Sequence, residues 1–321
     1  MFRAEGFLTD DLMEQITQVR VGNPQYTWLR AQSRIRPEAL RPEGKLNLLA
    51  ADHPARRVTK VGDNPLGMAD RRDYLARIYR VLSAGSVDGL MATMDLIEEV
   101  LILDGLLMDR GQESVVDGKH LIASLNRGGL AGVSWELDDP ITGPGVDTCA
   151  EWKLDGVKML LRVADDERDS LKTLLASAQA INACNAHRIP MYLEPLVVKR
   201  GESGWTVVKD AAALAKLVGV ASALGDSSRY LWLKLPYAKG FEVVARATTL
   251  PILLLGGEAA GDPAPFLEEM QQAMRSGHNV RGALVGRNVL YPGDGDPLKM
   301  AEAVGGIVHH GWDVKKALAA L

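Results

Sequence analysis

Short apolar runs punctuate this chain at regular intervals, each followed by a polar loop and then by a segment with helical spacing. Eight runs stand out: Leu46 to Ala51, Val87 to Ala92, Leu121 to Leu125, Val157 to Val163, Met191 to Leu196, Tyr230 to Leu235, Pro251 to Leu255 and Gly282 to Val285. Their hydrophobicity is largely continuous over about four to eight residues rather than alternating, which fits strands buried on both faces, as in a parallel sheet between helices. Between the runs, Leu171 to Ala186 sets Leu171, Leu174, Leu175, Ala178 and Ile181 at spacings of three and four, and Ala211 to Leu224 is rich in Ala and Leu. Both predict helices, with Asp165 and Asp210 as N-caps.

Successive runs begin about 20 to 40 residues apart, the length of a strand, a helix and their loops. Eight such units nearly fill residues 45–321 and predict an α/β fold, a single (β/α)8 TIM barrel. An open doubly wound sheet is the alternative, but no Gly-x-Gly-x-x-Gly follows the first run, where a dinucleotide fingerprint has to sit. Residues 1–44 form an N-terminal extension, in which Asp10 to Val19 predicts one amphipathic helix and Asn23 to Gly44 is rich in Pro and Arg. It would cap the barrel bottom or join an oligomer contact.

Composition narrows the partners. With 37 Lys+Arg against 41 Asp+Glu the 321-residue chain carries a net charge of −4 and lacks the basic field that drives nucleic-acid binding. Apolar stretches such as Leu250 to Gly257 and Val100 to Met108 fall well short of the roughly 20 residues that span a bilayer. Met1 to Gln15 contains acids and no apolar core, unlike a secretory signal. Cys149 and Cys184 stand alone, without a disulfide framework or zinc-site spacing, and are expected as small core residues in a cytoplasmic protein. Neither metal nor cofactor is expected, and a symmetric homo-oligomer is the default assembly.

In a (β/α)8 barrel the chemistry lies at the C-terminal ends of the strands. Two lysines fall within the runs, Lys158 and Lys234, although an ammonium in a low-dielectric interior is costly. Turned into the barrel mouth, a desolvated lysine beside another cation loses its proton readily and can attack a ketone. The alternative is structural: the head of Lys234 reaches a carboxylate, and Lys158 pairs with Asp52 or Glu194. Asp52 closes the first run and Glu194 lies in the fifth, placing carboxylates where a retro-aldol cleavage needs proton movers; before Pro54, Asp52 also fits a plain turn. Gly256 and Gly257 after run seven, with Gly286 and Arg287 after run eight, fit the recurrent barrel phosphate site, although Gly-Gly alone also makes a tight turn. Arg127 and Arg162 are further anion-binding candidates. Arg56-Arg57 and Arg71-Arg72 read as solvated faces, with Arg56 close enough to run one to touch an anion. His309 and His310 read as a solvated helix face, since adjacent helical residues do not converge on a metal.

Six segments carry a family likeness: Leu49 to His53, Asp155 to Leu161, Ile189 to Pro195, Leu233 to Tyr237, Pro251 to Gly257 and Val285 to Asn288. In this order the chain resembles the class I aldolases of the (β/α)8 superfamily that contains tagatose-bisphosphate, archaeal-type fructose-bisphosphate and deoxyribose-phosphate aldolases. The resemblance implies Lys234 as the imine-forming residue, Lys158 as its companion, Asp52 and Glu194 as acids, and a phosphate cradle from Gly256, Gly257, Gly286 and Arg287. Two departures stand out: residues 1–44 have no counterpart, and Glu258 follows Gly257 where the fructose-bisphosphate branch has Pro-Lys, which speaks against a bisphosphate substrate. The chain is most similar to an actinobacterial-type branch associated with inositol breakdown. That likeness implies cleavage of 2-deoxy-5-keto-gluconate 6-phosphate to dihydroxyacetone phosphate and malonate semialdehyde. A tagatose- or fructose-bisphosphate, sulfosugar-phosphate or deoxyribose-phosphate aldolase, a transaldolase, and a non-catalytic sugar-phosphate-binding barrel are the alternatives.

Overall fold

A computed structural model describes residues 2–37, 44–202, 204–258 and 261–321. Its strands are β1 (Leu46–Ala51), β2 (Gly89–Ala92), β3 (His120–Ser124), β4 (Gly156–Val163), β5 (Met191–Gly201), β6 (Gly204–Val207), β7 (Leu231–Pro236), β8 (Ile252–Leu255) and β9 (Val280–Val285). Neighbours follow the order β4-β3-β2-β1-β9-β8-β7-β5, and β4 pairs with β5, so eight parallel strands close into a barrel. All eight apolar runs are barrel strands. The ninth strand, β6, lies outside the ring and pairs antiparallel with the outer half of β5.

The continuous hydrophobicity of the runs has a double cause. On β1, Leu46, Leu48 and Ala50 face the lumen with Met91, Ile122, Tyr192, Leu253 and Leu284, while Leu49 and Ala51 face the helical layer. Both faces of each strand are therefore apolar, as a sheet between a packed lumen and a helical jacket demands. Tyr192 and Trp232, with ring centroids 5.9 Å apart, help to fill the lumen.

The two expected helices form at Asp169–His187 and Ala211–Ser222. Asp210 caps the second, accepting from the Ala213 N–H. Asp165 does not cap the first: it stays exposed in the preceding loop, where Ser170 Oγ bonds the Ala164 N–H at 3.0 Å, and the helix begins at Asp169. The buried stripe also differs from the apolar spacing, since Leu171 and Leu175 are exposed while Thr173 and Ser177 are buried. The reason is polar: Thr173 Oγ1 donates to Leu137 O at 2.7 Å and accepts from the Asp139 N–H at 3.1 Å, so this helix face anchors the loop after β3.

In the N-terminal extension the expected helix runs Asp10–Gly22, capped by Thr9, with short helices Ala4–Phe7 and Tyr26–Ser33 on either side. Leu8, Leu12, Ile16 and Ala31 join the main core. Buried Arg34 then reaches Asp155, just before β4, at 2.5 Å and donates to the Lys119 and Lys153 carbonyls. The extension is thereby fastened at the N-terminal end of the barrel; residues 38–43, in its Pro- and Arg-rich part, lie outside the described residues.

Cys149 and Cys184 are buried free thiols. His309 departs from the solvated reading: its side chain is 6% exposed and its Nε2 lies 2.9 Å from Asp88 Oδ2, while His310 faces outward. The helix Pro297–His310 packs one histidine against the strands and leaves the next free, because neighbours on a helix point about 100° apart. Among the described residues no helix is long and apolar enough to cross a membrane.

Candidate active site

Strand alternation builds the site. Residues of one parity face the lumen, so the series Leu48 and Ala50 on β1 with Asp52 just past its end, Lys158 and Leu160 on β4, Tyr192 and Glu194 on β5, and Trp232 and Lys234 on β7 climbs from an apolar plug to a charged layer. Register brings the climbers together: Leu160 pairs with Glu194 across β4 and β5, and Ser124 with Lys158 across β3 and β4. Asp52, Lys158, Glu194 and Lys234 are all buried, at 3%, 1%, 8% and 5% exposure, and all border a cavity of about 740 Å³ at the C-terminal mouth.

One carboxylate oxygen joins both amines. Glu194 Oε2 lies 2.6 Å from Lys158 Nζ and 3.1 Å from Lys234 Nζ. Lys158 is also 3.2 Å from Asp52 Oδ2, which accepts from Ser124 Oγ at 3.0 Å and pairs with Arg127. The structural alternatives for the two lysines are therefore real contacts, and they coexist with placement at the cavity. Burial pushes Lys158 well below its ordinary range, and the Arg127 guanidinium adds to the effect. Burial lowers Lys234 as well, opposed by Glu194. At Glu194 burial works upward, but Lys158 and Lys234 outweigh it and hold the carboxyl below its ordinary value.

The opposite wall has the expected glycines. Gly256, Gly257, Gly286 and Arg287 all border the cavity. Gly257 sits at φ 70°, and a Cβ on Gly286 would run into the Ala50 carbonyl and the His53 ring, so neither position tolerates a side chain. Asn288 Nδ2 donates to Gly256 O at 2.6 Å and ties the two loops together. Glu258 lies 3.6 Å from Arg287 Nη1.

Arg127 borders the cavity beside Asp52, with burial bringing its pKa down to about 10. Arg162 does not border it. Its guanidinium is spent on Glu136 and on the Gly129 carbonyl at 3.1 Å, fixing the loop after β3 rather than facing the mouth. Arg56 does reach the cavity, and it too bonds Gly129 O, at 3.0 Å, and pairs with Glu136 at 3.4 Å.

Several residues at the cavity and in the loop beside it escaped the sequence reading. His53, held neutral by burial and then by Arg287 and Lys234, lines the mouth beside Asp52. Glu136 and Asp139 look like solvated loop acids in Trp135-Glu-Leu-Asp-Asp139, yet both are buried. The signal was Arg162, a strand arginine that had to find an acid. The β5–β6 hairpin carries Trp205, Thr206 and Val207 over the cavity, and its β-branched and aromatic residues flanking Gly201 and Gly204 were a legible hairpin.

The parallel eightfold ring, with two buried lysines on one carboxylate at its C-terminal mouth, places the chain in the class of (β/α)8 barrel proteins. Within that class the chain belongs to the Cgl0159-like family, whose model matches residues 44–306. The crystal structure of Cgl0159 from Corynebacterium glutamicum superposes with a TM-score of 0.88 at 34% identity, over 95% of this chain and 99% of that one. An uncharacterized aldolase of Saccharolobus solfataricus is 29% identical over 140 residues, 43% of this chain and 48% of that protein, so the match spans about half of the relative. The 2-amino-3,7-dideoxy-D-threo-hept-6-ulosonate synthase of Halobacterium salinarum is 27% identical over 247 residues, 74% of this chain and 87% of the synthase.

Proposed function

We propose that this protein is a class I aldolase that cleaves a phosphorylated keto sugar acid through an imine on Lys234. The observation that carries the reading is the shared Glu194 oxygen between Lys158 and Lys234 inside the cavity. Lys158 is 1% exposed and gripped by two carboxylates; Lys234 is 5% exposed and gripped by one, which leaves it freer to meet a carbonyl. Lys234 Nζ attacks the carbonyl carbon, and the carbinolamine loses water with a proton supplied by an acid of the Glu194–Lys158 pair. The carbon–carbon bond then breaks, its electrons move to the iminium nitrogen, and Asp52 or Glu194 takes the proton of the β-hydroxyl as the aldehyde leaves. Protonation of the enamine carbon and hydrolysis release the second product and restore the amine.

Gly256, Gly257, Gly286 and Arg287 hold the phosphate in this reading, and Arg127 meets the substrate beside Asp52. Within the class, 2-deoxy-5-keto-gluconate 6-phosphate, cleaved to dihydroxyacetone phosphate and malonate semialdehyde as a step of inositol catabolism, is the substrate we favour. Support comes from the family resemblance.

The test is mass spectrometry after borohydride reduction with dihydroxyacetone phosphate. A reduced adduct on the peptide containing Lys234, absent in Lys234→Met, is the expected result. An adduct that persists in Lys234→Met and disappears in Lys158→Met would exchange the two lysine roles, and no adduct in wild type would remove the imine reading. Product analysis with and without an acceptor aldehyde separates cleavage from transfer.

A further inference from the structure

A second pocket, of about 430 Å³, opens beside the main cavity between the loop after β1 and the ends of β8 and β9. Arg287 and Glu258 border both spaces, so the Arg287–Glu258 pair forms their partition. The remaining wall includes Arg57, Thr59 and Lys60, with Tyr291 also lining it.

The charge here is unlike that of the main cavity. There, Lys158 and Lys234 share Glu194, Arg127 has Asp52, and Arg56 has Glu136. In the side pocket three cations face a single carboxylate, and among the described residues neither Arg57 nor Lys60 makes an ion pair. The Nε of Arg287 is buried and has no hydrogen-bond partner among them. An excess of two positive charges along one concave wall matches the charge of a phosphate dianion.

The loop that presents these cations is braced on itself. Arg57 sits in the left-handed region at φ 63°, its N–H donating to Pro54 O at 2.9 Å. Thr59 Oγ1 bonds Pro65 O at 2.7 Å, the Met68 N–H bonds Thr59 O at 2.8 Å, and Val61 and Asn64 exchange backbone hydrogen bonds. A non-glycine residue held at positive φ stores strain, which tight loops keep where it positions something.

We propose that this pocket is a second oxyanion subsite that takes a phosphate-type group through Arg57, Lys60 and the far edge of Arg287. The group is either the distal anionic end of a substrate bound across the partition, a case that rests on the aldolase reading, or a free phosphate, which does not. The two sources share one chemistry and differ in the experiment.

Calorimetric titration of the full-length protein with inorganic phosphate at low ionic strength counts the sites. Wild type is expected to bind two equivalents and Arg57→Asn/Lys60→Gln one; asparagine tolerates the left-handed backbone, which keeps the fold intact. Loss of two charged contacts is expected to weaken the lost site by about tenfold or more. In the same variant, borohydride trapping by dihydroxyacetone phosphate stays within about twofold of wild type. If half-saturation by a ketose bisphosphate rises about tenfold in the variant, the pocket takes the substrate's own far group; if only the phosphate count changes, it takes a free anion. A variant that binds phosphate with wild-type stoichiometry and affinity overturns the proposal, as does a wild type with one site that the variant keeps. Absence of trapping in wild type would defeat the imine reading alone, since the phosphate count reads the pocket without it.

Discussion

Glu194 opposes the effect of burial on both lysines, because a single oxygen serves two ammonium groups. In the proposed reaction the amine must be free to attack, so imine formation is expected to rise with pH as Lys234 gives up its proton, at a pH below the ordinary lysine range because burial lowers it. Glu194 opposes that effect by holding the proton on. In Glu194→Gln the pH at which trapping rises is therefore expected to move down, while the maximal rate falls by roughly 10² as a proton mover is lost. A pH–rate profile of borohydride trapping reads both; a rise displaced to higher pH would contradict the geometry. Strand parity made the two lysines and Glu194 legible in the sequence, because charged residues inside apolar runs must face either a partner or a cavity. His53 was not legible, since a histidine at a strand end has no pattern that separates it from a turn residue.

At the level of elements, the eight strands could be read because each is buried on both faces and so leaves an uninterrupted apolar run. The stripe of the helix Asp169–His187 could not, because Thr173 is buried for its hydrogen bonds to the loop after β3 and Ser177 for one to the Thr173 carbonyl, rather than for their apolarity. The same loop accounts for Arg162. Its pairs with Glu136 and Gly129 O predict that Arg162→Met costs on the order of 3 kcal/mol by leaving Glu136 short of a buried partner. Urea unfolding measures that loss. Half-saturation of trapping by dihydroxyacetone phosphate should change by less than about threefold, since the guanidinium does not border the cavity; a large loss of affinity at unchanged stability would instead make Arg162 a ligand contact.

For the whole molecule, the N-terminal extension and the barrel share one core through Leu8, Leu12, Ile16 and Ala31, which predicts that they unfold together. A ligand that binds only the folded barrel then stabilises everything at once. At about 100 times its dissociation constant, dihydroxyacetone phosphate is expected to add roughly 2.7 kcal/mol, a rise in Tm of about 5 °C. Thermal unfolding followed by both far-UV and tryptophan signals tests this, and two transitions of which only one responds would separate the extension from the barrel. The extension's fastening was hidden in the sequence because Arg34 and Asp155 lie 121 positions apart and neither belongs to a local pattern.

The β5–β6 hairpin departs from the ring after β5 has paired with β4 and β7, and it closes on itself through its own antiparallel bonds. Barrel closure therefore does not depend on it, yet it carries Trp205, Thr206 and Val207 to the cavity roof. It is a detachable module in the engineering sense: hairpins of other lengths and tips grafted between Val198 and Val207 are expected to leave the charged layer beneath aligned while the range of accepted molecules changes.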